Sequence, residues 1–280
     1  MPSLKYYIVD AFTIDKKPFS GNPAGVCFLD ERDIIDTEMM QSIAAENNLA
    51  ETAFVSRNKE GGANNFDLRW FTPEGEIDLC GHATLASAFF IYNYVYTNFP
   101  ENNAEETIFN TRSGPLNVVK NGGLYEMDFP SFKPSPTAVT PLMSEAIGTE
   151  VLEAYVSRDL LLLVDDEETV KNLKPDFELI KKLTGCLGVI VTAEGKKNSF
   201  VDFVSRYFAP NVGTNEDHVT GSSHAMLIPY WAKKLGRPDN QKMTAMQLSK
   251  RGGMIFCENC GNRVKIDGKA SLYLAGKLLL

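Results

Sequence analysis

One segment of the chain occurs twice in altered form. Arg69-Trp70-Phe71-Thr72-Pro73 leads through an acidic loop to Cys80-Gly81-His82-Ala83. Arg206-Tyr207-Phe208-Ala209-Pro210 leads, through a loop three residues longer, to Thr220-Gly221-Ser222-Ser223-His224-Ala225. Each copy reads as a β-rich run, a proline turn, a glycine and an apolar helix. Copies this far apart point to duplicated domains rather than to a solenoid, whose repeats recur every 20–50 residues or so. A chain of 280 residues is long enough to bury two cores. The stretch Ser131 to Thr140, with Pro134, Pro136 and little periodicity, is the expected linker. It divides the chain into 1–130 and 131–280.

The hydrophobic pattern predicts strands over Tyr6 to Phe12, Gly25 to Leu29, Leu49 to Val55 and Phe66 to Phe71. Asp36 or Thr37 is placed to cap a helix reaching about Asn47, with Met40, Ile43 and Ala44 on one face. A second helix, about His82 to Tyr96, is apolar almost all round, which predicts burial on every side. Three strands between Thr107 and Phe129 form a meander, with Asn121-Gly122-Gly123 as a hairpin turn. In the second half, a helix near Asp176 to Leu183, strands at Leu187 to Thr192 and Phe200 to Phe208, and a helix at about Ser222 to Leu235 are expected. Pro229 should kink the last of these.

Charge narrows the partners. The formal net charge is 28 − 36 = −8, so the chain lacks the basic field that binds nucleic acid or an anionic membrane surface. No apolar segment follows a basic start, so no leader is expected. The longest charge-free stretch, Leu79 to Pro100, is interrupted by polar residues and falls short of the roughly 20 apolar residues of a membrane span. Five cysteines, an odd number, suit a reducing compartment, and a cytoplasmic protein is expected. Cys257-Glu258-Asn259-Cys260 is a lone pair of cysteines, whereas a closed zinc site needs four ligands. No metal is expected there, and the segment reads as a hairpin with Glu258 to Asn262 as its turn.

All three histidines, His82, His218 and His224, fall within the two repeated segments. Gly81 and Gly221 open the two apolar helices, where free backbone N–H groups and the helix dipole attract anions. If the halves face each other, both helix N-termini serve one crevice that holds a substrate carboxylate. Tight strand-to-helix turns alone would also explain the glycines. Glu51, on an apolar strand with Leu49, Ala53 and Val55, is the strongest acid/base candidate, because burial favours the protonated carboxyl a general acid needs near pH 7. An edge strand with Glu51 in solvent is the alternative. The dipole at the helix start should disfavour the charged form of His82. The same position should depress the thiol pKa of Cys80. The repeat counterpart of Cys80 is Thr220, so a racemase with two opposed thiols lacks one partner. His218 neighbours Asp217. His224 reads as a packed residue, and Glu46 as a solvated one.

These segments, together with Asp10 to Thr13, Pro18 to Ala24, Asn48 to Phe54, Asp78 to Ala86 and Glu216 to Ser222, resemble the phenazine-biosynthesis isomerase-like (PhzF-like) family over nearly the whole chain. The resemblance implies an α+β, diaminopimelate-epimerase-like fold. That means two pseudo-symmetric domains, each a mixed β-sheet wrapped around a central α-helix, with the last strand, about 270–280, crossing back to the first. It implies a cofactor-independent, metal-free homodimeric isomerase that shifts a proton on a small carboxylate-bearing substrate. Glu51, His82 and Asp217 match its catalytic residues. Ser222 matches a site residue, Gly81 matches a backbone contact and Asn22 lies in the family's Gly-Asn-Pro loop; with Gly221 at the second helix start, these are the substrate-binding candidates. The sequence departs from the phenazine enzyme at Leu79 to Ala83, which leaves the substrate open. Two alternatives stand beside it: a Cys80-dependent epimerase or dehydratase of amino or imino acids, and a non-catalytic binding protein on the same scaffold.

Overall fold

Residues 3–30, 33–98 and 104–280 are described by a computed structural model. The chain divides into two units, Met1–Asp128 joined by Asp267–Leu280, and Phe129–Ile266. The first contains β1 (Ser3–Ala11), β2 (Asn22–Leu29), α1 (Thr37–Asn47), β3 (Glu51–Arg57), β4 (Asn65–Phe71), β5 (Glu76–Ile77) and α2 (Gly81–Phe90). A π-helical turn (Ile91–Val95) and a last helical turn, α3 (Tyr96–Asn98), continue α2, and β6 (Glu106–Thr111), β7 (Gly114–Asn121) and β8 (Leu124–Pro130) follow. The pairings run β1–β2 antiparallel, β2–β3 parallel, β3–β4 and β4–β5 antiparallel, β4–β6 parallel, then β6–β7 and β7–β8 antiparallel.

Local chemistry accounts for these boundaries. Asp36 caps α1 by accepting from the Met39 N–H, and Asn48, left-handed at φ 50°, ends it. Leu49 and Ala50 therefore lie in a bend and not in the strand. Gly122 and Gly123 both have positive φ in the two-residue β7–β8 turn, the requirement of a hairpin turn whose twist matches its strands. All but one residue of α2 is buried, as its all-round apolar surface demands. It packs on one face of the sheet. On the other face, Met40, Ile43 and Ala44 of α1 meet Leu4, Tyr6, Phe54 and Phe71. The expected single helix is interrupted in register by the π turn, where the Asn93 side chain donates to the Phe89 carbonyl at 2.7 Å.

The second unit contains β9 (Ser135–Thr137), α4 (Pro141–Ile147), β10 (Glu153–Val156), β11 (Leu160–Leu163), α5 (Glu167–Asn172) and α6 (Phe177–Ile180). After them come β12 (Val189–Glu194), β13 (Phe203–Ala209), β14 (Thr214–Asp217), α7 (Gly221–Lys234), β15 (Lys242–Gln247), β16 (Gly253–Cys260) and β17 (Arg263–Gly268). Its pairings repeat those of the first: β10–β11 antiparallel, β11–β12 parallel, β12–β13 and β13–β14 antiparallel, β13–β15 parallel, β15–β16 antiparallel. β9 adds antiparallel to β10. In the first unit that place beside β1 is taken by the final strand, β18 (Ala270–Leu279). The duplication thus covers the whole strand order, beyond the short repeat legible in sequence.

α7 runs through Pro229 without interruption. A proline there withholds the N–H that would serve the carbonyl four residues earlier. The Phe132 N–H donates to that Ala225 carbonyl at 2.9 Å instead. β16 extends through Cys260, so the expected turn shrinks to Gly261 and Asn262. Cys257 and Cys260, three apart on one strand, point to opposite faces and cannot chelate together. Among the described residues, no helix is long and apolar enough to cross a membrane.

Candidate functional site

The polar cluster of the first unit is assembled from three elements. Gly21, at φ 82°, turns the chain into β2. A Cβ there would lie 2.3 Å from the Ala11 carbonyl oxygen, so only glycine fits. The preceding Ser20 hydroxyl accepts from the Ile14 N–H and donates to the Lys17 carbonyl, pinning the loop from inside. Asn22 follows, fully buried at the start of β2. Parallel pairing sets Ala24 of β2 against Glu51, the first residue of β3. Cys80 caps α2 through its backbone alone, and His82 is the second residue of that helix.

These placements converge on the His82 ring. Its Nε2 lies 3.0 Å from Glu51 Oε2, and the two side chains are 5% and 17% exposed. The contact is at ion-pair distance but is not a well-aligned hydrogen bond, and neither atom has another partner among the described residues. On the other side of the ring, His82 Nδ1 lies 3.2 Å from Asn22 Nδ2 and 3.5 Å from Cys80 Sγ. Gly81 sits between, with its backbone at the helix N-terminus. Glu51, Cys80, His82, Gly81 and Asn22 are thus brought together. The strand alternation invoked for Glu51 does not hold, because β3 is paired on both sides and Thr52 to Val55 are all buried. Its partial burial comes instead from its place at the strand start, against His82.

Two titration expectations are corrected. Burial pushes the Cys80 thiol up rather than down, and the neighbouring Glu51 adds to this, while His82 opposes it more weakly. The helix start does not make a thiolate here. For His82, burial is the largest influence and favours the neutral ring, but Cys80 and Glu51 oppose it and the net displacement is upward.

Glu51, Cys80 and His82 offer one ligand atom each within 4.8 Å of one another. The set does not fit a metal ion. Carboxylate and sulfur lie by different ring nitrogens, so an ion on either nitrogen faces away from one of its partners. Glu51 Oε2 and His82 Nε2 are also closer than the roughly 3.4 Å expected of two ligands around zinc.

At the matching point of the second unit, Asp217 ends β14 and Gly221 starts α7. The Thr220 hydroxyl donates to Asp217 Oδ2 at 2.5 Å. Gln247, fully buried on β15, donates to the Asp217 carbonyl and accepts from the Thr220 N–H at 2.8 Å. Ser249 donates to the His218 carbonyl at 2.7 Å. Ser222 is half-buried on the first turn of α7. His224 donates from Nδ1 to the Thr220 carbonyl at 2.8 Å, and burial pushes its pKa down to about 4. It is a packed, neutral residue.

Sequence reasoning missed the groups that brace these segments. Arg69 makes a two-point contact with Glu76, Nε–Oε1 and Nη2–Oε2 both 2.7 Å. Arg206 does the same with Glu216 at 2.6 and 2.9 Å. The guanidinium groups lie 5.1 Å from the Phe71 ring and 5.0 Å from the Phe208 ring. The signal was present as an acidic residue following each repeated arginine. Gln247 had no such signal, since its neighbourhood arises only when β15 pairs parallel to β13.

Comparison with known proteins adds context. A family model described as phenazine biosynthesis-like protein matches residues 9–276. An uncharacterised isomerase of Pseudomonas aeruginosa is 46% identical over 277 residues, spanning 99% of both chains. The crystal structure of a PhzF-family phenazine biosynthesis protein from Enterococcus faecalis is 46% identical, covers 100% of both chains and superposes with a TM-score of 0.91. A hydroxyproline epimerase from Agrobacterium vitis is similar at 9% identity with a TM-score of 0.61, covering 99% of this chain and 93% of that one. That likeness concerns the fold alone, and it accords with two pseudo-symmetric α+β units of mixed sheet and central helix.

Proposed function

We propose, on the premise that this chain belongs to the phenazine biosynthesis-like family, that it is a cofactor-independent isomerase acting on a small carboxylate-bearing substrate, with Glu51 as general acid and base. The observation that carries this reading is the 3.0 Å approach of Glu51 Oε2 to His82 Nε2, two buried atoms with no other partner among the described residues. Similar chains being named isomerases supports the reaction class. The odd cysteine count supports a reducing, cytoplasmic setting.

In the proposed step, Glu51 removes a proton from a carbon made acidic by a conjugated carboxylate. The C–H electron pair moves into the extended enolate, and Glu51 returns the proton to a different carbon. His82 holds or relays the proton through Nε2. The backbone amide at Gly81 binds the substrate carboxylate and the charge that grows on it. Asp217, Gly221 and Ser222 are the candidate site residues of the second unit. Cys80-based chemistry is disfavoured, since its thiol is held protonated by burial and its counterpart in the second unit is Thr220.

Exchange of substrate hydrogen with deuterated water tests the assignment. Glu51→Gln should slow exchange by at least about a hundredfold, the lower range for a general acid/base, whereas Cys80→Ala should keep most of it. Equal exchange in wild type and Glu51→Gln removes Glu51 from the role.

A further inference from the structure

The geometry points to Asn22 as the positioning residue that decides which nitrogen of His82 carries the proton: its amide donates to Nδ1, so a ring with a single proton bears it on Nε2, facing Glu51. This rests in part on the isomerase reading above, which needs that proton at Nε2. Asn22 was expected from resemblance to touch substrate. Its side chain is instead completely buried and turned onto the ring, with Nδ2 3.2 Å from Nδ1.

Among the described residues, three side chains are found against the ring nitrogens. Glu51 of β3 lies by Nε2, while Asn22 of β2 and Cys80, just ahead of α2, lie by Nδ1. A carboxylate opposite Nε2 favours a proton there. Without Asn22, Cys80 would be the remaining neighbour of Nδ1. A thiol donates and accepts weakly, so it would not select between the two tautomers. An amide N–H accepts nothing, so an Nδ1–H ring would set two donors against each other. The partner of one imidazole nitrogen thereby fixes the other. Gly21 holds Asn22 in register for this, since no other residue fits before it.

The molecule contains its own control. His224 donates from Nδ1 to the Thr220 carbonyl, so its neutral ring must have the opposite tautomer. With three histidines in the chain, nitrogen-15 imidazole spectra of the full-length protein resolve each ring across a pH series, without substrate. In wild type above the His82 midpoint, the expected result is Nε2–H at His82 and Nδ1–H at His224. In Asn22→Asp the new carboxylate accepts from Nδ1. The His82 midpoint should rise by about one pH unit or more, and the neutral ring should appear as Nδ1–H or as a mixture. Asn22→Ser, a smaller change, should give a mixed tautomer. An unchanged His224 pattern certifies the fold in both variants. An Nδ1–H ring at His82 in wild type, or the same tautomer and midpoint in wild type and both variants, overturns the proposal. Once a substrate is in hand, kcat should fall at least about tenfold in Asn22→Asp with KM little changed; a raised KM with an unmoved tautomer would return Asn22 to substrate binding. Because the spectra need no substrate, failure of the isomerase reading leaves this test intact.

Discussion

The starts of α2 and α7 share one frame and differ in what it holds. Each follows an Arg–Glu clamp, a proline turn and a loop tied by a serine: Ser113 donates to the Asp78 carbonyl at 2.8 Å, and Ser249 to that of His218 at 2.7 Å. At α2 the frame presents Glu51, His82 and a thiol within 3.5 Å contacts, with polar atoms left for another group to meet. At α7 the polar atoms of Thr220 and the Asp217 carbonyl are tied internally by Gln247. The two copies share one scaffold: one sets a carboxylate, an imidazole and a thiol against each other, and in the other Gln247 ties the backbone ahead of the helix.

The largest expected consequence is an opposite pH response of two buried histidines. His224 is held near 4, below the ordinary imidazole value of 6.5, so the unfolded chain binds its proton first. Its neutral burial weakens the fold as pH falls from about 6.5 to 4. His82 is displaced upward, so its contribution is present below the unfolded imidazole pKa and is lost as pH rises through the folded one. His224→Gln should therefore gain on wild type by about 3 kcal/mol between neutrality and pH 4, and His82→Gln should lose its deficit only on the alkaline side. Urea unfolding across that range decides it. Parallel curves for His224→Gln and wild type would refute the burial argument.

The two clamps should differ next. Arg206 is 11% exposed and also donates to the Leu173 carbonyl, whereas Arg69 is 31% exposed and its partner Glu76 keeps Arg112 at 2.7 Å. Arg206→Met should cost about 3 kcal/mol, because it removes the cation paired with Glu216, and Arg69→Met about half of that, because Glu76, although more buried, keeps Arg112. Equal losses in thermal unfolding would mean that Arg112 does not shield Glu76.

What the sequence revealed follows from how local each signal is. The Asp36 cap and the Gly122-Gly123 turn are decided within a few residues, and each took the expected form; the all-round apolar helix is buried as expected but broken by a π turn. Glu51, Cys80 and His82 stood out as residue types near glycine and helix starts, and the fold sets them side by side. The titration of Cys80 and His82 was not legible, because the sign at each depends on burial and on neighbours that the fold supplies. The alternation argument at Glu51 failed because β3 is interior to its sheet and buried on both faces, where a two-residue period carries no information. Asn22 facing a ring sixty residues away, and β18 filling beside β1 the place β9 fills beside β10, depend on strand order and leave no local trace.

The smallest effect concerns the brace itself. Gln247 lies opposite Ser205, the residue before Arg206. In the first unit the β4–β6 register ends at Asp67 opposite Asn110, so Thr111 takes the matching position, two residues before the tying serine as Gln247 is before Ser249. Thr111 is too short to reach the helix start and donates to the Gly114 carbonyl instead. Gln247→Thr thus gives the second unit the arrangement of the first. It strands the Thr220 N–H, at a cost of about 1 kcal/mol, and should speed hydrogen exchange at that amide while leaving amides around Cys80 unchanged. Exchange at Thr220 as slow as in wild type would show that the Asp217 loop is held by Ser249 and the Thr220–Asp217 bond alone, and that the two helix starts are braced alike.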